Sequence, residues 1–147
     1  MADGQFRILP ELTDRNRHFW QGGKDGTLVF LRCQECGYYL HPPTPICPLD
    51  RSKRLAPEPV SGRATLASFT VNHHPWIPGV ELPYIIGIVE IVEQAELRLT
   101  TNVVNCPPDA VQIGMELQVT FEHHEDVNGD IWLPLFEPIE PVRSANA

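Results

Sequence analysis

The second part of the chain, from Gly62 onward, alternates apolar with polar residues and is rich in β-branched side chains. Alternation with a period of two is typical of strands that turn one face toward a core. Turn residues, among them Pro78-Gly79 and Asn128-Gly129, separate the alternating runs. The pattern predicts five strands, at 63–72, 84–92, 96–103, 116–124 and 132–137.

This strand pattern favours a small barrel. Five strands of this length suit the oligonucleotide/oligosaccharide-binding (OB) barrel, whereas a β-sandwich usually contains more strands. The 147 residues include 15 prolines and 10 glycines, which favours short elements joined by turns over a helical bundle. We therefore predict a mainly β protein, in which a five-stranded OB-fold barrel spans residues 60–142 and is followed by a tail at 143–147.

The chain begins with a predicted arm and a short helix, which together take up residues 1–26. Thr13 is a suitable N-cap for this helix, and Gly22 is a suitable end. Phe19 and Trp20 are the aromatic residues on it. Two interpretations stay open. The rings either pack the helix on the chain's own neighbouring segment, which is the commoner use of such residues, or contact a partner protein.

Three cysteines and an aspartate have the spacing of metal ligands. Cys33 and Cys36 form one C-x2-C turn, and Cys47 and Asp50 offer a thiol and a carboxylate at the same spacing. Thiolates and carboxylates are zinc ligands, and two such turns together are the arrangement of a rubredoxin-like zinc ribbon. Closed four-ligand sites are structural, so we expect Zn²⁺ to stabilise the fold. His41 as the fourth ligand, and a site that has lost its metal, stay open as alternatives.

The predicted zinc ribbon and its linker occupy residues 27–59. Residues 27–31 predict a strand that leads into the first cysteine turn. Residues 51–59 are polar and bounded by proline, which indicates a linker from the ribbon to the barrel. The chain is therefore predicted to consist of an arm with a helix, a ribbon with a linker, and a barrel.

Charge is distributed unevenly along the chain. Residues 1–63 contain nine Lys/Arg and seven Asp/Glu, a balance of +2, whereas residues 64–147 contain two and twelve, a balance of −10. Nucleic-acid affinity comes largely from cationic side chains that neutralise phosphates, so the acidic barrel argues against a nucleic-acid partner. The sequence has no apolar run of signal-peptide or membrane-spanning length, and we expect a cytoplasmic protein without a membrane partner.

The sequence shows no self-sufficient active site. The pairs His73-His74 and His123-His124 cannot chelate as units on strands, because adjacent strand residues face opposite sides. Cys106 precedes two prolines, has no recognisable base in the sequence, and is expected to be structural. The common hydrolase, phosphate-loop, dinucleotide and zinc-protease motifs are missing. We expect no turnover by this chain alone.

A proline-rich loop over residues 72–83 joins the first two predicted barrel strands. Loops at this place often bind ligands in OB barrels. Prolines lower the entropy that a loop loses on ordering, and tryptophan is enriched at interface hot spots. Trp76 is therefore a candidate partner contact, with His73 and Tyr84 beside it. The alternative, given equal weight, is that Trp76 folds back and closes the end of the barrel.

The order of these motifs resembles that of one protein family, the bacterial and archaeal zinc-ribbon/OB-fold proteins catalogued as domain of unknown function thirty-five. The resemblance covers residues 11–140. Asp50 departs from it, because the family usually has a fourth cysteine there. The residues that carry the resemblance are Phe19-Trp20, Cys33-x-x-Cys36-Gly37, Cys47-Pro48, Pro83-Tyr84, Ile113-Gly114 and Leu135-Phe136.

The resemblance implies a role as well as a fold. Members are typically small, non-catalytic subunits of acyl-CoA enzymes and sit beside thiolase-fold proteins, including thiolases, acyltransferases and the lipid-transfer-type aldolases of steroid side-chain degradation. It implies a thiolase-fold or lipid-transfer-type partner in a heterotetramer, with acyl-CoA at or near the interface. A stand-alone acyl-CoA or lipid carrier and a nucleic-acid-binding protein are the alternatives. The candidate interface residues are Phe19, Trp20, His73, Trp76 and Tyr84.

Overall fold

Short strands dominate the computed structural model, which describes residues 6–144. The first five residues of the predicted arm and the last three of the predicted tail lie outside the described residues. An α-helix, α1, is followed by a 3₁₀ turn at Gly22–Asp25 and then by the strands. The elements are α1 (Arg17–Gln21), β1 (Leu28–Cys33), β2 (Tyr39–Leu40), β3 (Leu55–Val60), β4 (Arg63–Asn72), β5 (Tyr84–Ile91), β6 (Arg98–Val103), β7 (Glu116–His124) and β8 (Ile131–Pro138).

Strands β4 to β8 form a closed barrel in the order β4-β5-β6-β8-β7. Neighbouring strands are antiparallel except β6 and β8, which run parallel and pair at Val103 and Phe136. The predicted five-stranded OB-type barrel is confirmed, and a β-sandwich is excluded. The predicted bounds of β4 and β7 are the observed ones, and the other three strands differ by one or two residues at their ends.

The barrel interior is filled by apolar side chains that alternate along its strands. Leu66, Val89 and Phe136 have at most 1% of their surface exposed. Gly87 lies where β5 comes close to its neighbours, because a Cβ atom there would be 2.9 Å from Val103 Cγ2. Burial of apolar surface stabilises a fold by roughly 25 cal/mol per Å², so these side chains hold the barrel together.

A three-stranded antiparallel sheet in the order β2-β1-β3 forms the ribbon. The prediction that residues 51–59 are a linker is wrong for residues 55–59, because these belong to β3, which pairs with β1 along its whole length. Pro57 and Pro59 are two residues apart, so their nitrogen atoms point to the same side of the strand. We infer that this side is the outer edge, where no backbone N–H group is needed. Proline is compatible with β3 because β3 is an edge strand.

The N-terminal helix is shorter than predicted. The backbone N–H groups of Thr13 and Asn16 donate to each other's side chains (2.8 and 3.3 Å), which forms a turn before the helix. Asn16 is the N-cap of α1, so the predicted cap at Thr13 is wrong by three residues, whereas the predicted end at Gly22 is confirmed. Within residues 6–144, no helix has the length and apolar character needed to cross a lipid bilayer.

The helix region packs against ribbon and barrel at once. The Phe19 ring is 3% exposed and lies 5.9 Å from the Phe30 ring of β1, measured between centroids. Gly23, in the turn after α1, lies close to the barrel. A Cβ atom there would be 2.6 Å from Phe121 Cδ1 and closer still to Trp132. The structure therefore supports the interpretation that this helix packs on its own chain.

One continuous core joins the ribbon to the barrel. Phe30 and Tyr39 of the ribbon sheet belong to the same buried cluster as Leu66 and Phe136 of the barrel. Gln94, between β5 and β6, accepts a hydrogen bond from the backbone N–H of Tyr39 (2.8 Å) and donates one to its carbonyl oxygen (3.0 Å). The turns that carry the predicted metal ligands are therefore attached to a sheet that is fixed on the barrel.

Candidate metal centre and partner surface

Two turns of the same form carry the four predicted ligands. In the first, Gly37 N–H donates to Cys33 O (3.0 Å), and in the second, Arg51 N–H donates to Cys47 O (2.9 Å). Gly37 and Arg51 both have a left-handed backbone, with φ angles of 80° and 62°. This conformation costs a residue other than glycine roughly 1–2 kcal/mol, so contacts around the second turn must stabilise Arg51 there.

The four side chains converge on one point. One ligand atom from each of Cys33, Cys36, Cys47 and Asp50 lies within 4.8 Å of the others. The Sγ atoms of Cys36 and Cys47 are 3.6 Å apart, and Cys33 Sγ is 3.5 Å from Asp50 Oδ2. Tetrahedral zinc, with Zn–S of about 2.3 Å and Zn–O of about 2.0 Å, separates two sulfurs by about 3.8 Å and a sulfur from an oxygen by about 3.5 Å. The observed spacings fit a Cys3Asp zinc site.

Asp50 is oriented by the backbone that follows it. Its Oδ1 accepts a hydrogen bond from Ser52 N–H (2.9 Å), while Oδ2 faces Cys33 Sγ. That hydrogen bond is the main reason why the pKa of Asp50 lies below its usual range, which keeps the carboxyl group ionised. The backbone N–H of Ser52 therefore orients the carboxylate. Hydrogen bonds from groups outside the ligand set commonly orient metal ligands in this way.

The thiols of the cluster crowd one another. A backbone hydrogen bond at Tyr38 lowers the pKa of Cys36, but desolvation and the neighbouring Cys33, Cys47 and Asp50 raise it more, to about 12. Groups this close can all carry negative charge only beside a cation. Three thiols and a carboxylate are ligands that zinc accepts, so the chemistry of the cluster fits zinc as well as its spacing does.

His41 is separate from this cluster. Its ring packs against Phe19 and Phe30, with centroid distances of 4.6 and 5.1 Å. Desolvation, followed by repulsion from His18, lowers the pKa of His41 to about 4. Among the residues that the structure describes, the converging set includes Asp50 and does not include His41. The geometry therefore favours Asp50 as the fourth ligand.

The five predicted partner contacts lie in different environments. Trp76 is 71% exposed, so the alternative that it closes the end of the barrel is wrong. His73, directly after β4, is also exposed, and Tyr84 at the start of β5 is half-buried. Trp20 is half-buried against the core residue Phe19, with 4.7 Å between their ring centroids. Phe19 itself has almost no surface left for a partner, whereas the loop residues are accessible.

A groove of about 820 Å³ lies between the arm and the proline-rich loop. Phe6 and Ile8 of the arm and Ile77 and Val80 of the loop are among the side chains that line it, together with Tyr84. Phe6 is 51% exposed and Ile8 is 79% exposed. The groove is therefore an open feature of the surface, lined by apolar and polar side chains, next to the loop that carries Trp76.

Arg7 fixes the arm across the barrel and was not recognised from the sequence. Its guanidinium donates to Glu122 Oε1 and to Asn102 Oδ1, both at 2.8 Å. His124 also contacts Glu122 Oε1 (2.7 Å). Burial raises the pKa of Glu122, but the hydrogen bonds with Arg7 and His124 outweigh burial and leave that pKa below its usual range. Arg7 and Glu122 are 115 residues apart, so no local sequence signal indicates their contact.

Asn72 is a second residue that the sequence interpretation missed. Its side chain accepts a hydrogen bond from Trp76 Nε1–H (2.9 Å) and donates one to the carbonyl oxygen of His74 (2.8 Å). An asparagine where a strand ends is common, because its side chain readily bonds nearby backbone groups. The sequence therefore does not indicate the specific contact with Trp76, which the three-dimensional structure shows.

The fourth cysteine and the second histidine pair pack against their surroundings. Cys106 is half-buried, and desolvation, followed by repulsion from Asp109, raises the pKa of its thiol. A thiol with a raised pKa is a poor nucleophile, which supports the structural interpretation of Cys106. His123 stacks on Trp132, with 4.5 Å between ring centroids, and contacts Asp130 (2.9 Å).

Family models match both parts of this architecture. Residues 20–56 match the model described as "ChsH2, rubredoxin-like zinc ribbon domain", and residues 57–122 match "ChsH2, C-terminal OB-fold domain". A chain of the solved structure "Ltp2-ChsH2(DUF35) aldolase" superposes with a TM-score of 0.76 at 33% identity, over 88% of this chain and 98% of that one. The ribbon is therefore a module built for a structural zinc ion.

Two relatives complete the comparison. The 3-oxo-4,17-pregnadiene-20-carboxyl-CoA hydratase alpha subunit of Mycobacterium tuberculosis is 34% identical over 90% of this chain and 42% of its own length. The chain spans about two fifths of the hydratase alpha subunits that it matches. A DUF35 domain-containing scaffold protein of Methanocaldococcus jannaschii is 33% identical over 77% of this chain and 82% of its own length. The chain thus belongs to the DUF35 family of zinc-ribbon and OB-fold proteins.

Proposed function

We propose that this chain is a non-catalytic accessory subunit, which binds a thiolase-fold enzyme of the lipid-transfer type and supports its action on acyl-CoA. The observation that carries the proposal is the likeness to a chain of the Ltp2-ChsH2(DUF35) aldolase, of which this chain covers 98% at 33% identity. The name of that structure pairs a DUF35 protein with an Ltp2 enzyme. The M. jannaschii relative is likewise named a scaffold protein.

The chemistry of the side chains supports a non-catalytic role. In the proposal, Cys33, Cys36, Cys47 and Asp50 bind one Zn²⁺, and a zinc ion with four protein ligands has no open position for a substrate. The Cys106 thiol has a raised pKa, so it is poorly suited to attack a thioester. We therefore assign bond cleavage or formation to the partner and assign support of the complex to this chain.

A CoA thioester is the substrate class that we propose for the complex, and a steroid side chain is the specific case. The M. tuberculosis relative is named for a pregnadiene carboxyl-CoA, which motivates both assignments. The groove of about 820 Å³ has a size typical of small-molecule sites, and its lining combines apolar residues such as Ile77 and Val80 with polar ones. In the proposal it helps to shape the acyl-CoA entrance where this chain meets the enzyme.

The same groove favours one alternative, a stand-alone acyl-CoA or lipid carrier. Calorimetry with the purified chain and a long-chain acyl-CoA separates the two functions. The accessory role predicts no saturable binding by the chain alone, whereas a carrier binds at micromolar concentration or tighter. A nucleic-acid role is disfavoured by the balance of −10 in residues 64–147.

Co-expression with the lipid-transfer-type enzyme encoded nearest to this chain's gene tests the proposed assembly. Thiolase-type enzymes are usually dimers, so we expect one copy of this chain on each protomer and a two-fold symmetric heterotetramer. Size-exclusion chromatography with light scattering should give that mass, and acyl-CoA turnover should appear with the complex and not with this chain alone. Separate elution of the two proteins at micromolar concentration contradicts the proposed function.

A further inference from the structure

Trp76 is a large apolar side chain that the described part of the chain leaves in solvent. It is 71% exposed, in the loop between β4 and β5. An aromatic side chain of this size can bury about 150–250 Å², which makes tryptophan a dominant residue in interfaces. An exposed tryptophan alone does not identify an interface. The contacts that hold this one distinguish it from a side chain that is merely unburied.

Hydrogen bonds and a ring contact fix the orientation of Trp76. Its indole N–H donates to Asn72 Oδ1 (2.9 Å), and its backbone N–H donates to His74 O (2.9 Å). The same carbonyl oxygen accepts a hydrogen bond from Asn72 Nδ2 (2.8 Å). The His74 ring lies 4.3 Å from the Trp76 ring, measured between centroids. Asn72 therefore binds both the side chain of Trp76 and the backbone that precedes it.

The loop backbone is also restricted. Pro75 and Pro78 flank Trp76 closely in the sequence, and Pro83 lies just before β5. Each proline limits the conformations that the loop must give up when a partner binds. A side chain that is already held in its bound orientation loses less entropy on binding, which raises affinity without additional contacts.

The charge around Trp76 indicates what kind of surface would receive it. The loop over residues 73–83 contains one charged residue, Glu81, and no lysine or arginine. Glu81 is exposed. Specific interfaces pair an apolar centre with a rim of opposite charge. A surface complementary to this loop would have an apolar pocket with lysine or arginine at its rim.

We propose that Asn72 is a positioning residue, which presents Trp76 as a preformed anchor for an apolar, cation-rimmed pocket on the thiolase-fold partner. This inference rests on the proposed function and adds to it the residue that prepares the interface. The groove beside the loop continues the contact, because Ile77 and Val80 of the same loop are among the residues that line it.

Binding of the partner enzyme to variants of the full chain tests the anchor. Trp76→Ala should weaken the affinity roughly 30- to 1,000-fold, as expected for a buried tryptophan hot spot. Val127→Ala is the matched control, since Val127 is 97% exposed between β7 and β8, and it should change the affinity less than about twofold. Normal binding by Trp76→Ala overturns the anchor while leaving the accessory function intact. Absence of any complex with the wild-type chain overturns both.

A double-mutant cycle tests whether Asn72 acts through Trp76. Asn72→Ala and Trp76→Phe should each weaken binding about tenfold, because each removes the hydrogen bond that holds the ring. Asn72→Ala should have almost no further effect in the Trp76→Ala background. An equal loss in both backgrounds overturns the positioning role, because Asn72 would then contribute independently of Trp76.

Nuclear magnetic resonance reports the same contact without a partner. The three tryptophans give three indole N–H signals, and the Trp76→Phe spectrum identifies the one that belongs to Trp76. Asn72→Ala should shift that signal and speed its exchange with solvent while the other two stay unchanged. An unshifted Trp76 signal overturns the positioning role.

Charge reversal tests the cationic rim. Glu81→Lys should slow association with the enzyme several-fold at low salt, and the difference should vanish at about 1 M salt. An unchanged association rate overturns the assignment of a cationic rim and leaves the anchor to be decided by the Trp76 variants.

Discussion

The ribbon and the barrel of this chain are stabilised by different means. Around its ligands the ribbon has a small buried cluster of Cys33, Leu40 and Cys47, two of which are proposed to bind metal. The barrel closes its hydrogen-bonded strands into a ring and fills the interior with fully buried side chains such as Val89 and Phe136. The ribbon therefore depends on an ion where the barrel depends on apolar burial.

The contrast shows how a unit as small as the ribbon becomes part of a stable protein. Units below about 40 residues rarely bury enough apolar surface to fold alone and usually need metal or a neighbour. The ribbon has both, because Phe30 and Tyr39 on its sheet share the barrel's core, while the two turns attached to this sheet carry the ligands. Loss of the metal should consequently affect the ligand turns more than the sheet.

Removal of a buried metal ligand should cause the largest loss of stability, and this loss should be confined to the ribbon. Cys47→Ala leaves three ligands, and structural zinc sites contribute on the order of 10 kcal/mol at pH 7. We expect the bound zinc to fall from one per chain to none, and the two ligand turns to lose protection from hydrogen exchange while β4 to β8 keep theirs. Elemental analysis and exchange mass spectrometry measure the two effects.

Two substitutions of Asp50 test whether its carboxylate is the fourth zinc ligand. Asp50→Ala should weaken zinc binding, and Asp50→Cys, which offers a fourth thiolate, should restore or strengthen it. Full zinc occupancy in Asp50→Ala would show that the fourth ligand is a different group. A well-folded wild-type chain purified without zinc would contradict the metal centre as a whole.

Creating a cavity inside the barrel should cause the next largest loss of stability and should leave zinc binding unchanged. Phe136 is fully buried, so Phe136→Ala should lower the free energy of unfolding by about 3–5 kcal/mol. Urea unfolding measures this loss, and the exposed-site variant Val127→Ala should stay within about 0.5 kcal/mol of the wild type. If Phe136→Ala also releases zinc under folding conditions, the ligand turns are more tightly coupled to the barrel than their separate buried cluster indicates.

Lowering the pH should reduce the free energy of unfolding by a smaller amount, through a histidine where the ribbon meets the helix. Desolvation, with repulsion from His18, lowers the pKa of His41 to about 4 from an unfolded value near 6.5. The unfolded chain therefore binds more protons between these values, so His41 lowers stability as pH falls from about 6.5 to 4, by about 2–3 kcal/mol in total.

The pH dependence must be separated from protonation of the zinc ligands. Urea unfolding of the wild type and of His41→Phe at pH 4.5 to 7 does so, because both proteins keep the same ligand set. We expect the free energy of unfolding to fall less steeply with acid in His41→Phe. Parallel curves for the two proteins would contradict the neutral, desolvated state of His41.

The barrel and the metal turns could be predicted from the sequence because their signals are local. Period-two alternation located β4 to β8 closely, and the spacing of Cys33, Cys36, Cys47 and Asp50 identified four side chains that converge. Both patterns follow directly from backbone geometry, since alternate strand residues share a face and ligands separated by two residues share a turn.

The remaining features depend on neighbours that the sequence does not specify. Strand β3 was missed because prolines argue against a strand, except at an edge, and edge position is a property of the sheet. The contact of Arg7 with Glu122 joins residues 115 positions apart. Arg51 was missed for a different reason: it occupies the left-handed position held by Gly37 in the other turn, and comparing the two turns would have indicated it.

The prolines of β3 also affect how the edge of the ribbon can meet other chains. An unpaired strand edge is a template on which further copies can add, and this is a common route to ordered aggregates. Pro57 and Pro59 provide no backbone N–H groups for such growth, and the sheet ends at three strands. The outer edge of the ribbon is thereby protected from pairing with the ribbon of another copy of the chain.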